Sequence, residues 1–299
     1  MSYYPTSGDI CAIITTFRPD DRLYEGVGRI QEQVGFVVIV DDGECNENVL
    51  KLNKWFEGVN KVHLHHNICN VGIATSLNTG ITIAKEKGYR WILTLDDDSL
   101  VRPNSVERLI NGLISIKLNK PIGLIGMAWI EPNENTKSKP IIENVTFLEK
   151  RGIITSGSLF SMDTYDRVGP FRDEFYIDSV DYDYCLRARE QGFAIIKLNE
   201  IGFEHSIGRS KVFCIMGLNV VVENHEAFRV YYEFRNSIVL ALEYFKYDPL
   251  YSIATFLGRT KKLLKILLFE RDKIIKLIEA LRGLKDGLER NLGKRIHAR

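Results

Sequence analysis

Two apolar runs that end in aspartates constrain this chain more than any other feature. Residues 36–40 (Phe-Val-Val-Ile-Val) lead into Asp41-Asp42-Gly43, and residues 91–95 (Trp-Ile-Leu-Thr-Leu) lead into Asp96-Asp97-Asp98-Ser99. Runs of β-branched and aromatic residues without polar alternation read as strands buried on both faces. Such strands build parallel sheets covered by helices, and ligands bind at the carboxyl ends of those strands. Three adjacent carboxylates repel one another unless a cation neutralises them. An isolated Asp triplet reads as a solvated acidic turn. Two acidic strand ends at one sheet edge, with a glycine loop at Gly72 nearby, read as a site for a nucleotide and a hard divalent cation.

The rest of the chain fits that frame. Residues 10–16, 62–66, 122–127 and 194–198 read as further strands, with a helix from Asn70 to about Lys87 and another over 185–192. Residues 226–247 form an aromatic-rich helical stretch, and a helical tail follows Asp248-Pro249. Strands alternating with helices predict an α/β fold, a mostly parallel Rossmann-like sheet flanked by helices. At 299 residues there is material for one large domain or two modest ones.

The net charge of +1 hides an asymmetry. Residues 246–299 hold 14 Lys and Arg against 6 Asp and Glu, a charge of +8, whereas the remaining 245 residues carry −7. Five scattered cysteines without a C-x-x-C pair suggest reduced thiols and no zinc site. Residues 1–9 are polar and no run reaches the ~18 apolar residues of a membrane span. The expectation is a cytoplasmic protein.

Seven segments, in order over residues 10 to about 240, resemble glycosyltransferase family 2 and its GT-A fold. They are Thr16-Phe17-Arg18-Pro19-Asp20, Val40-Asp41-Asp42-Gly43, residues 70–80 (N-x-G-I-A-x-S-x-N-x-G), residues 95–99, residues 175–187 (F-x-I-D-x-V-D-x-D-Y-C-x-R), His205-Ser206-Ile207-Gly208, and residues 225–236 (H-x-x-x-R-x-Y-Y-x-x-R-N). Within the family, the pattern is most similar to bacterial rhamnosyltransferases of O-antigen and capsule assembly.

The resemblance implies an inverting, metal-dependent transferase. Its GT-A catalytic domain would cover residues 1–245, with a nucleotide-sugar half of about 1–100 and an acceptor half of about 101–245. A C-terminal helical extension, 246–299, would follow as a basic amphipathic tail. Asp98 and Asp96 would hold Mg²⁺ or Mn²⁺, with His205 completing the shell. Asp41 would accept from the pyrimidine. Thr15, Arg18, Asn70, Asn78, Asp96, Asp97 and Arg235 would contact the nucleotide sugar. Asp181 would be the base, with Val180 where most of the family has Glu, and Asp178 and Ser158 would face the acceptor. Asp183 would pair with Arg187 at i,i+4 spacing.

The implied partners are dTDP-L-rhamnose or another nucleotide sugar, and a lipid-linked or free saccharide acceptor. The basic tail reads equally as a membrane-surface element or as a helical hairpin that packs on the protein or on a second copy, giving a homo-oligomer. With no recognised motif, it does not read as a nucleic-acid binder. Two rival functions are a UDP-sugar transferase, and a non-catalytic membrane-associated protein on the same scaffold. The second would have lost Asp96, Asp98 or Asp181, and all three are present.

Overall fold

The computed structural model describes residues 4–43, 46–130, 146–205, 211–215 and 218–295. The chain forms two compact units, Met1–Arg172 with Tyr184–Ser206, and Asp173–Asp183 with Ile207–Arg299.

The first unit opens with strict alternation: β1 (Ile10–Thr16), α1 (Asp21–Ile30), β2 (Phe36–Asp41), α2 (Asn46–Phe56), β3 (Val62–His66), α3 (Ile73–Glu86) and β4 (Trp91–Asp96). Asp20 caps α1 by accepting from the Arg22 N–H at 2.9 Å. β1 lies between β2 and β4, all parallel, with Thr16 opposite Asp41 and Thr15 opposite Asp96. That register puts both acidic strand ends on one sheet edge.

Then come β5 (Leu100–Val101), α4 (Ser105–Ser115), β6 (Ile122–Ile130), β7 (Phe147–Glu149), β8 (Ser158–Ser161), α5 (Met162–Val168), α6 (Val180–Glu190) and β9 (Ala194–Glu204). The sheet order is β3-β2-β1-β4-β8-β6-β9-β5, with β7 paired to β9. β8 runs antiparallel to both β4 and β6. Its preceding turn therefore meets the carboxyl end of β4, where the Gly157 N–H donates to the Thr94 carbonyl. Gly157 has φ +75°, and a Cβ there would lie 2.3 Å from the Phe203 ring, so only glycine fits. The core beneath is aliphatic, with Ile39, Leu23, Ile125, Leu159 and Ile196 all inaccessible to solvent. Burying each such side chain contributes about 1.5–3 kcal/mol.

The second unit holds an antiparallel hairpin, β10 (Lys211–Ile215) with β11 (Leu218–Val222), then α7 (Ala227–Glu243), α8 (Pro249–Phe269) and α9 (Lys273–Glu289). Val230 and Phe234 of α7 bury against Ile266 and Ala280 of the two following helices. A Cβ at Gly283 would come 2.3 Å from the Tyr231 carbonyl oxygen, and one at Gly287 would come 2.2 Å from Ile238. Small residues thus let α9 lie against α7. α7 shares its core with the two helices of the tail and groups with them in one compact unit.

α8 and α9 turn polar residues inward. Lys262 Nζ stands 3.1 Å from Glu223, 3.8 Å from Glu233 and 3.6 Å from Glu270, and Lys276 reaches Glu270 at 2.8 Å. His225 hydrogen-bonds Glu233. Burial alone would raise the Glu233 carboxyl, but the His225 hydrogen bond and the charges of Lys262, His225 and Arg259 outweigh it and hold it near 2. A depressed carboxylate stabilises the fold above its unfolded value near 4.5, and that stabilisation is lost as pH falls through 4.5 toward 2. Urea titrations should therefore show stability falling steeply below pH 4.5. Glu233→Gln should flatten that slope and lower stability at neutral pH by about 3 kcal/mol, since Lys262 and Arg259 lose their buried partner. An unchanged slope would contradict the assignment.

Candidate active site

The carboxyl end of β4 carries the chemistry. Asp96 is the last residue of the strand, and the chain then turns through Asp97 and Asp98, with the Ser99 N–H donating to the Asp96 carbonyl at 3.1 Å. β9 brings His205 to the same place, its backbone N–H bonded to the Ile130 carbonyl at 3.0 Å. The imidazole lies between the rings of Trp129 and Phe203, with centroids 5.6 and 6.3 Å away. His205 Nδ1 is 2.9 Å from Asp98 Oδ1, and Nε2 is 3.9 Å from Asp96 Oδ2. Ligand atoms from Asp96, Asp98 and His205 all fall within 4.8 Å of one another.

The donor set fits a divalent cation. Asp98 Oδ1 is buried, with His205 Nδ1 2.9 Å away. A buried carboxylate oxygen is costly unless a cation takes it up. Burial lowers the affinity of His205 for a proton, but the Asp98 hydrogen-bonding contact and the charges of Asp96 and Asp98 outweigh that and raise it. The two carboxylates thus draw positive charge to this point. A bound metal would replace that proton.

Asp97 serves the turn. Its Oδ2 accepts from Thr16 Oγ1 at 2.6 Å and from the Phe17 N–H at 3.4 Å. Burial pushes its carboxyl up to about 6, against the Thr16 hydrogen bond, with the charges of Asp96 and Asp98 adding to the rise. Ser156, which the sequence reading passed over, braces the turn from β8's side. The Asp96 N–H donates to its Oγ at 3.1 Å, and Ser99 Oγ lies 2.7 Å from it.

Several expected site residues make internal hydrogen bonds. Ser158 is buried in β8 and donates to the Ile154 carbonyl at 2.6 Å. Asp41 is inaccessible to solvent, with Oδ1 accepting from the Gly43 N–H at 3.0 Å and Oδ2 lying 2.9 Å from His66 Nδ1. It orders the strand end rather than meeting a base. Asp42 does the same for the glycine loop, accepting from the N–H groups of Val71 and Gly72 at 2.7 and 2.8 Å. Asn78 spends its amide on the chain at 171. Its Nδ2 donates to the Phe171 carbonyl at 2.8 Å, and its Oδ1 accepts from the Phe171 N–H and the Tyr165 hydroxyl. Arg187 donates to the Val168 carbonyl at 2.9 Å and lies over Tyr184.

Thr15 is buried opposite Asp96, whereas Arg18 is exposed in a left-handed conformation (φ 57°) just past β1. Asn70 is half-buried just before the loop glycine Gly72. Of the H-S-x-G segment, Ser206, Ile207 and Gly208 lie outside the described residues.

The second unit carries Asp181, half-exposed in the first turn of α6. The loop before it is strained: Tyr176, Asp178 and Ser179 all have φ between 62° and 64°. Each such non-glycine residue costs roughly 1–3 kcal/mol, so something must hold it. Asn236 does so, donating from Nδ2 to the carbonyls of Phe175, Ile177 and Asp178 at 2.9, 2.8 and 2.9 Å. Arg235 adds bonds to the carbonyls of Glu174 (2.9 Å), Phe175 (3.2 Å) and Gly293 (2.6 Å). It is 1% exposed and stacked near Tyr232, and it clamps the loop. Asp178 is paired in two-pronged fashion with Arg229 at 3.0–3.2 Å, which anchors the loop.

Replacing Asn236 by Ala should release this loop. Turnover should fall about 10–100-fold while nucleotide binding stays within about twofold, since about 1 kcal/mol is lost per hydrogen bond. Amide exchange at 173–183 should accelerate in parallel. Full turnover with unchanged exchange would sink the clamp.

The described residues hold one other His-carboxylate cluster, Glu223, His225 and Glu233. Lys262 and Arg259 already neutralise it, at 3.1 Å from Glu223 and 3.4 Å from Glu233, so it reads as an ion-pair network.

Comparison with known proteins agrees with this geometry. A family model described as glycosyl transferase family 2 matches residues 11–167. The chain is 30% identical over 248 residues to the dTDP-rhamnosyl transferase RfbF of Shigella flexneri, covering 78% of this chain and 80% of that one. Among solved structures, S. aureus TarS 1–349 superposes with a TM-score of 0.59 at 12% identity, over 94% of this chain and 81% of that one. Its complex with UDP-GlcNAc gives 0.55 at 13% identity, over 94% and 80%. At such identities the likeness is one of fold, the GT-A α/β architecture.

Proposed function

Since the chain belongs to glycosyl transferase family 2 and is a glycosyltransferase, we propose that it is an inverting, metal-dependent rhamnosyltransferase. It transfers L-rhamnose from dTDP-L-rhamnose to a saccharide acceptor in cell-surface polysaccharide assembly, of the O-antigen or capsule kind. The name of the S. flexneri relative, 30% identical over most of both chains, supports this choice of donor. The acceptor is a lipid-linked saccharide at the cytoplasmic face of the membrane.

The observation that carries the reading is the cluster of Asp96, Asp98 and His205 around the buried Asp98 oxygen. Those three residues would hold Mg²⁺ or Mn²⁺, which supplies charge neutralisation to a leaving diphosphate. Asp96 also reaches toward the ribose, and Thr15, Arg18 and Asn70 line the nucleotide's path. Asp97 keeps the turn in shape through Thr16.

Asp181 takes the proton from the acceptor hydroxyl. That oxygen attacks the anomeric carbon as the bond to the diphosphate breaks on the opposite face, so the configuration inverts. A carboxylate suits this role when it lies within hydrogen-bond reach of the hydroxyl. The Arg235–Asn236 clamp keeps the loop ahead of Asp181 in its strained conformation.

The test is release of dTDP from dTDP-L-rhamnose in the presence of a lipid extract bearing saccharide-diphospho lipids. Release that needs Mg²⁺ or Mn²⁺ and yields a rhamnosylated lipid is expected. Equal or faster consumption of UDP-sugars would overturn the donor, and no transfer from any sugar nucleotide would overturn the reaction.

A further inference from the structure

α8 and α9 are built inside out. In a helix at a protein surface, the apolar stripe faces the core and charges face water. Here Ser252 and Lys262 of α8 and Lys276 of α9 are buried. Leu250, Leu257, Leu264 and Leu268 of α8, and Ile274 and Leu281 of α9, are 54–74% exposed. The α8 leucines stand at i, i+7, i+14 and i+18, one face of a helix. Exposed apolar surface of this extent marks an interaction site.

The charges around the stripe select its partner. α8 contains no acidic residue; of its cations Lys261 is exposed and Lys265 half-buried, while Arg259 and Lys262 pair inward with glutamates. Lys246 ahead of α8, and Arg271 and Lys273 between the helices, are exposed cations at its ends. Four cations within 21 residues disfavour burying α8 across a hydrocarbon core. No helix among the described residues is long and apolar enough to cross a membrane. A second copy would bring another +8 over the same segment and repel the first. A surface that takes up leucines and attracts lysines together is an anionic bilayer.

We propose that the outward faces of α8 and α9 dock in the plane of an anionic lipid surface, with the leucines in the acyl boundary and the lysines at the headgroups. Long lysine side chains reach the headgroup level from a helix lying in the interface. This goes beyond the transfer reaction and stands on residues that the reaction does not use.

The test is flotation of the full chain with vesicles of phosphatidylcholine, alone or mixed with phosphatidylglycerol. Binding to the mixed vesicles should exceed binding to phosphatidylcholine alone by at least about tenfold and weaken with salt, as screening of the lysines requires. The triple variant Leu250→Gln, Leu257→Gln, Leu264→Gln should lose flotation at least about tenfold while keeping its helical circular dichroism. Lys261→Gln should reduce flotation more mildly. Wild-type protein that stays unbound, or a triple variant that still floats, would overturn the proposal. So would a dimer in light scattering that the triple variant dissolves, since a second copy would then cover the face. Donor consumption without vesicles is measured on the same samples. Its failure would touch the proposed reaction and leave the flotation result standing.

Discussion

Asp181→Asn should abolish sugar transfer while leaving nucleotide binding within about twofold. The substitution keeps the size of the side chain and its place in the first turn of α6, and removes only the capacity to take a proton. General-base catalysis contributes about 10²–10⁴-fold, so turnover should fall by that factor with KM for the donor little changed. The folded state should be unaffected, because Asp181 is half-exposed and its neighbour Asp183 is the buried carboxylate of this turn. Single-turnover assays against calorimetric donor binding separate the two effects. Normal turnover in this variant would remove Asp181 from the mechanism and make another carboxylate the base. Asp178 is a poor substitute, since Arg229 already holds it.

The second large effect is at Asp98. Asp98→Asn should eliminate metal-dependent donor binding and lower turnover by at least about 10³-fold, because charge neutralisation of a leaving diphosphate is worth several kcal/mol. It should also stabilise the metal-free protein. Two carboxylates and an imidazole crowd within 4.8 Å, and removing one negative charge relieves the repulsion between Asp96 and Asp98. Thermal melts with and without Mn²⁺ should therefore cross over. The variant gains in EDTA and loses the metal-induced rise seen in the parent. A variant that still shows that rise would place the ion elsewhere.

The arrangement of the site's first half was legible in the sequence. Acidic ends on two apolar runs predicted a common edge, and the Thr15–Asp96 and Thr16–Asp41 register delivers it. The glycine loop at Gly72 led into helix α3, and the family resemblance named His205 as a candidate partner for the aspartates. What the sequence left hidden is which polar side chains spend their hydrogen bonds internally. Asn78, Ser158, Asp41 and Arg235 are residue types that bind ligands and that also satisfy buried backbone groups. Only tertiary contacts separate the two uses. The carbonyls of Glu174, Phe175, Ile177 and Asp178 need donors because three left-handed residues lift that loop out of regular structure, and no spacing rule announces such a demand. The tail shows the same limit in reverse. Its helical periodicity was plain, but the inward side mixes apolar Ile266 and Ala280 with the Lys262 and Lys276 networks.

The most direct test of the account is calorimetric binding of dTDP-L-rhamnose, UDP-glucose, UDP-galactose and UDP-N-acetylglucosamine, each with Mg²⁺ or Mn²⁺ and again in EDTA. The account predicts selective binding of dTDP-L-rhamnose that disappears with EDTA and in Asp98→Asn. Binding of the donor with equal affinity in EDTA would contradict a metal held by Asp96, Asp98 and His205, and with it the central claim.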